Sequence, residues 1–230
     1  MFSLNRLSTL LIIVTLGLVG FFALPWPSRT LTIAGQDLSI SAKLVIAAAV
    51  LGLVATGTQA LASPEQCEGP WYAPWLSGLW ILPTMVSAAA LAVLNQTHTM
   101  SAQLFVCSAT VATLVVLIPA ERCSVDSHAR LRLASRTIVQ VAAFSLMTLL
   151  MTAVRMEQVS GVLLGSVAGV CGAAVTYMVL SKDLMSPWRM VLFTAASGLA
   201  VGIVAWMVAP LTKTPAAFAL SVTVVLYLSV

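Results

Sequence analysis

The sequence predicts an all-α protein, a single membrane-embedded bundle of about eight transmembrane helices. Apolar residues make up 60% of the 230 residues and charged residues only 8%, whereas a soluble domain carries about 25% charged residues. Apolar runs long enough to cross a hydrocarbon core of about 30 Å recur along the whole chain. This composition excludes a water-soluble globular domain and a disordered chain.

Eight apolar runs are the predicted spans, and together they form one integral-membrane domain over residues 1–230. The first ends in Ala23-Leu24-Pro25, which is not a small-x-small cleavage site, so it is interpreted as a retained helix. Pro83 lies inside the third run and is expected to kink that helix. The sixteen residues of the last run reach about 24 Å, so seven spans are the alternative. The runs cover residues 7–26, 44–62, 76–94, 103–120, 137–154, 160–180, 190–209 and 215–230.

Basic residues between the spans predict a cytoplasmic N-terminus by the positive-inside rule. With that orientation the cytoplasmic side carries Arg6, Arg122, Arg130, Arg132, Arg136, Lys182 and Arg189, and the opposite side carries Arg29, Lys43, Arg155 and Lys213. Arg130, Arg132 and Arg136 could also bind anionic lipid headgroups, although orientation explains them equally well. The net charge of +4 therefore gives no reason to expect nucleic-acid binding.

Residues 29–43 predict a short β-hairpin-like loop outside the membrane. Apolar residues alternate with threonines and then with serines on either side of Ala34-Gly35-Gln36-Asp37, which is typical of two strands joined by a turn. The hairpin is expected either to plug its own bundle or to dock a partner.

The connection between the second and third spans is rich in proline and aromatic residues. Trp71, Tyr72 and Trp75 have the amphipathic character of side chains that anchor at the headgroup level. The alternative is that these three side chains form a shelf for a lipid, quinone or pigment.

His98 is the one candidate cofactor ligand. It follows the third span in Asn95-Gln96-Thr97-His98-Thr99, where an imidazole could ligate a tetrapyrrole metal, although a solvated loop histidine is the simpler interpretation. The four cysteines form no C-x-x-C pair and the two histidines lie in separate loops, so no metal site is expected.

The acidic residues all fall in predicted loops or at the ends of predicted spans. An ionisable residue deep in a span is the usual sign of an ion or proton path, and no nucleophile motif or phosphate-binding loop occurs. The sequence therefore predicts no catalytic residue and no enzyme. Gln59 and Gln140 are expected to make interhelical hydrogen bonds.

Small residues recur every four positions in the sixth and seventh predicted spans. Such spacing lets two helix backbones approach closely, so these spans are expected to form a tight antiparallel pair. The residues are Gly161, Gly165, Gly169 and Ala173 in the sixth span, and Thr194, Gly198 and Gly202 in the seventh.

Three short segments resemble a family of uncharacterised polytopic proteins from filamentous green bacteria. They are Ile33-Ala34-Gly35-Gln36-Asp37-Leu38-Ser39-Ile40, Ala55-Thr56-Gly57-Thr58-Gln59 and Trp80-Ile81-Leu82-Pro83. The family has no assigned activity, so the resemblance transfers no functional residue. It implies a multi-pass protein of a bacterial inner membrane, in a photosynthetic or respiratory setting.

The favoured functional hypothesis is a non-catalytic accessory, structural or assembly subunit of a larger membrane complex. The alternatives are a transporter or carrier of an apolar or lipid-like small molecule, and a module that holds a pigment, quinone or lipid. No cofactor is required by the sequence. The expected partners are the lipid bilayer and other membrane subunits.

Overall fold

The computed structural model describes residues 4–24, 28–33, 36–62, 78–125, 132–157, 160–181 and 187–229, which form eight helices and two strands. Helices α1, α2, α4, α5, α6 and α7 are long and apolar enough to cross a membrane, while α3 and α8 are shorter. The protein is thus a multi-pass helical membrane protein. The helices are α1 (Leu4–Ala23), α2 (Ala42–Ala62), α3 (Ile81–Gln96), α4 (Met100–Val125), α5 (Arg132–Met156), α6 (Gly161–Leu180), α7 (Pro187–Val208) and α8 (Pro215–Ser229).

Helix α3 begins five residues later than the sequence predicts, because a turn precedes it. Gly78 has a φ of 66°, a conformation that favours glycine, and its carbonyl accepts a hydrogen bond from the Ile81 N–H at 3.2 Å. Pro83 consequently lies in the first turn of α3, where no intrahelical partner is available for its missing N–H. The expectation that Pro83 kinks the interior of this helix is wrong.

Two strands lie between α1 and α2 along the chain. Strand β1 (Ser28–Ile33) pairs antiparallel with strand β2 (Gln36–Ser41), with Leu31 opposite Leu38. The side of the membrane on which this pair lies stays a prediction.

Helix α3 occupies the centre of the bundle. Most of its circumference is buried, including Leu82, Val86 and Ser87, while Thr84, Ala88 and Asn95 share a less buried face. Helices α2, α4 and α5 pack around it, with smaller contacts from α1 and α6. The short helix α3 therefore occupies the interior of the bundle, and longer helices pack around it.

Helix α5 joins the first half of the bundle, α1–α4, to the second half, α6–α8. It contacts α3 and α4 on one side and α6 and α8 on the other. Gln96 Nε2 of α3 donates a hydrogen bond to the Ala153 carbonyl of α5 at 2.8 Å. The hydroxyls of Thr148 on α5 and Thr223 on α8 lie 2.9 Å apart, so polar contacts fix α5 to both halves.

Candidate functional site

Helices α6 and α7 meet backbone to backbone through their glycines. A Cβ atom placed on Gly165 would lie 2.9 Å from the Gly202 carbonyl oxygen, and one on Gly169 would lie 3.0 Å from the Gly198 carbonyl oxygen. In the reverse direction, a Cβ atom placed on Gly202 would lie 2.9 Å from the Gly165 carbonyl oxygen. The small-residue faces of these two helices are thus turned towards each other.

The close approach leaves an open groove along the outer side of the α6–α7 contact, here called the seam groove. Its volume is about 570 Å³. The glycines form its floor, and its rims are apolar side chains that stand out from the bundle, such as Leu199 at 66% exposure and Ile203 at 53%. Its lining includes no charged side chain from the described part of the chain.

A second cavity, here called the Arg155 pocket, lies where α5 ends and α6 begins. Its volume is about 560 Å³, and Arg155, Gly161, Met207 and Pro210 are among its lining residues. Trp206 lines both cavities, and its indole Cδ1 lies 3.5 Å from a Cβ placed on Gly161. The seam groove and the Arg155 pocket are therefore adjacent.

The Arg155 guanidinium is held in place from two directions. Nη2 donates a hydrogen bond to the Ala209 carbonyl at 2.8 Å and lies 3.5 Å from the Thr212 carbonyl oxygen. The guanidinium carbon lies 5.6 Å from the centre of the Phe218 ring, a cation–π distance. A cation beside the last carbonyls of α7 also interacts favourably with the helix dipole.

A family model described as "Protein of unknown function (DUF5656)" matches residues 26–230. The chain belongs to this family. No curated protein matches the chain, and no solved structure does. Membership of DUF5656 agrees with the expectation that the chain belongs to an uncharacterised family. The resemblance to proteins of filamentous green bacteria stays a prediction.

Of the candidate cofactor residues of this DUF5656 protein, His98 alone lies in the described part of the chain. His98 is exposed in the short connection between α3 and α4 and lines neither cavity. Trp71, Tyr72 and Trp75 lie outside the described residues, so the aromatic shelf is untested. Within the described ranges no group of three or more His, Cys, Asp or Glu side chains could hold a metal ion.

The arginines assigned to the loop after the fourth span fall partly within a helix. Arg132 is the first residue of α5, and Arg136 lies half-buried one turn further along. The predicted span began at residue 137 and was too short, because the helix continues past the apolar run into basic sequence. Arg130 lies outside the described residues, and binding of lipid headgroups by these arginines stays a prediction.

Glu121 is a residue whose environment the sequence analysis missed. It was expected at the end of a span, but α4 continues through Pro119 to Val125, and Glu121 is only 2% exposed. Gln59, near the end of α2, and Ser135, near the start of α5, are also buried at this end of the bundle. The DUF5656 protein thus buries several polar side chains on the side where α1 begins.

Proposed function

We propose that the protein is a non-catalytic accessory or assembly subunit of a larger membrane complex. The observation that supports this proposal is the filled centre of the bundle. Helix α3 is buried over most of its circumference, and the two cavities described above open at the outer surface of α5–α7. A bundle of this kind suits a scaffold better than a conduit.

Several hydroxyl groups inside the bundle support the same function, because they bond to a neighbouring helix or to the backbone of their own helix. Ser87 of α3 bonds to the Pro83 carbonyl of its own helix at 3.0 Å. The hydroxyls of Thr176, Ser197 and Ser229 form a chain with 2.8 Å steps that links α6, α7 and α8. These groups are engaged with each other or with the backbone, whereas a path for a polar solute needs groups that face an open passage.

The second candidate function is a module that holds a lipid-like molecule. The seam groove favours this function, because an apolar groove that ends near Arg155 matches an amphipathic ligand. A carrier of apolar small molecules would bind them at the same surface. A pigment or quinone would likewise place an apolar part of the molecule in the seam groove.

Purification in mild detergent, followed by a native gel and mass spectrometry of each band, tests the proposal. We expect other membrane proteins to co-migrate with the chain at constant ratio through two successive purification steps. A lone homogeneous species of this chain would contradict a subunit function. An absorption spectrum of the same sample shows whether a pigment is bound.

The proposed setting is a bacterial inner membrane, photosynthetic or respiratory, with a cytoplasmic N-terminus. We predict that a cysteine at Asp37, introduced after removal of the native cysteines, reacts with an impermeant maleimide in intact spheroplasts. A cysteine at His128 should react only after the membrane is opened, because it lies in the basic loop that fixes the orientation. The opposite labelling pattern would overturn this topology.

A further inference from the structure

We propose that the seam groove and the Arg155 pocket together bind one anionic phospholipid of the surrounding bilayer. An acyl chain lies in the groove, and the phosphate group of the lipid lies at Arg155. This inference deepens the second candidate function given above and is independent of the subunit proposal, since a lipid can bind both a lone protein and a subunit.

The length and lining of the groove fit an acyl chain in one leaflet. On α6 the groove extends from Val162 to Ala173, which corresponds to about 17 Å at 1.5 Å per residue. Half of a hydrocarbon core is about 15 Å thick. A partner helix would cross the whole bilayer, whereas this groove ends about half-way across and is lined only by apolar or hydroxyl-bearing side chains, glycine and one indole.

The charge at the other end of the groove fits an anionic headgroup. Arg155 lines the pocket, and within the described residues its hydrogen bonds are donated by Nη2 alone. No described residue accepts a hydrogen bond from its other N–H groups, and a phosphate oxygen is the acceptor that a guanidinium binds best. Among the residues that the structure describes, no acidic side chain lines the pocket, and the nearby Glu157 accepts a hydrogen bond from Asn95 at 3.0 Å.

The residues around Arg155 also match the depth of a lipid headgroup. Trp206 lies where the groove meets the pocket, and tryptophan is enriched at the membrane interface. Lys213 is exposed and directly follows Thr212, whose carbonyl oxygen lies near Nη2 of Arg155. A second positive charge therefore lies close to the pocket, and the contacts of Arg155 with Ala209 and Phe218 hold the guanidinium ready before a lipid arrives.

Lipid titration with native mass spectrometry tests the site. The detergent-purified protein, with any co-purifying subunits, is titrated with dioleoylphosphatidylglycerol or dioleoylphosphatidylcholine. We expect the first phosphatidylglycerol to bind about tenfold more tightly than phosphatidylcholine. In Arg155→Gln, which removes the positive charge, this preference should disappear. Arg189→Gln, which removes an exposed positive charge at the opposite end of α7 and outside the pocket lining, is the control and should retain this preference.

A second variant tests the groove without altering Arg155. Ser166 is exposed and lines the groove, so Ser166→Phe should fill it and weaken binding of both lipids at least fivefold. Leu163→Phe, at an exposed position of α6 outside the groove lining, should bind as the unaltered protein does. If Arg155→Gln fails to fold, the comparison of Ser166→Phe with Leu163→Phe decides whether a lipid binds in the groove.

Equal affinity for the two lipids, or unchanged binding in Ser166→Phe, would overturn the lipid site. If Ser166→Phe releases a co-migrating subunit and leaves lipid binding unchanged, the groove is a protein interface and the lipid site is wrong. Loss of lipid with an unchanged complex supports the site and leaves the subunit proposal intact. A lone chain that still binds phosphatidylglycerol through Arg155 contradicts the subunit proposal alone.

Discussion

Gly165→Leu is expected to destabilise the protein by about 3 kcal/mol, the upper end of the usual cost of an overpacked site. A Cβ on this residue would lie 2.9 Å from the Gly202 carbonyl oxygen and 3.1 Å from Trp206 Cβ. One of these atoms belongs to the backbone of α7, so a side-chain rotation cannot relieve the contact. The two helices must separate, and the melting temperature in detergent should fall by several degrees.

Gly52→Leu is the matched control for this substitution. It places the same side chain on a transmembrane helix, at a glycine with no atom within 4 Å of the added Cβ. We expect its melting temperature to stay close to that of the unaltered protein. If both variants melt alike and unchanged, the close α6–α7 contact does not exist in the folded protein.

Phe218→Ala is expected to cost about 3 kcal/mol. Phe218 is fully buried, and removal of such a ring in soluble cores costs 3–5 kcal/mol. The lower end applies because hydrophobic transfer contributes little between helices already surrounded by lipid, while the cavity and lost packing contacts remain. The variant also removes the ring beside the Arg155 guanidinium.

Leu220→Ala on the same helix controls for the change in side-chain size. Leu220 is 57% exposed, so lipid fills the space that its truncation leaves. Equilibrium unfolding in mixed detergent and sodium dodecyl sulfate measures both variants. Equal losses in the two would mean that α8 is not packed into the bundle through Phe218.

The apolar runs in the sequence predict where the spans lie, and the spacing of small residues predicts the close pairing of α6 and α7. The ends of the helices do not, because they depend on contacts made after folding. A Cβ on Gly78 would lie 3.2 Å from Ser181 Oγ and 3.5 Å from Met178 Cα of α6, so packing against a distant helix accompanies the turn that starts α3. No local pattern around residues 76–80 carries that information.

The candidate site was only partly visible in the sequence. The glycine spacing marks the α6–α7 pair, but it does not show that the pair leaves a groove on its outer side. The sequence marks Arg155 only as a charge that contributes to the orientation in the membrane. Its position beside Ala209 and Phe218 requires α5, α7 and α8 to meet, and the burial of Glu121 likewise depends on which helices enclose the end of α4.

The accessibility of a cysteine in α3 shows whether the centre of the bundle is filled. Ser87 is fully buried in α3, and Ser87→Cys changes its volume little, so the four native cysteines are first replaced and this one is introduced. We predict that a small aqueous methanethiosulfonate reagent leaves it unmodified in the membrane, while a cysteine at exposed His98 reacts readily and both react after unfolding. Modification of the Ser87→Cys protein in the membrane at the rate of the His98→Cys protein would reveal an aqueous path through the bundle and contradict the account.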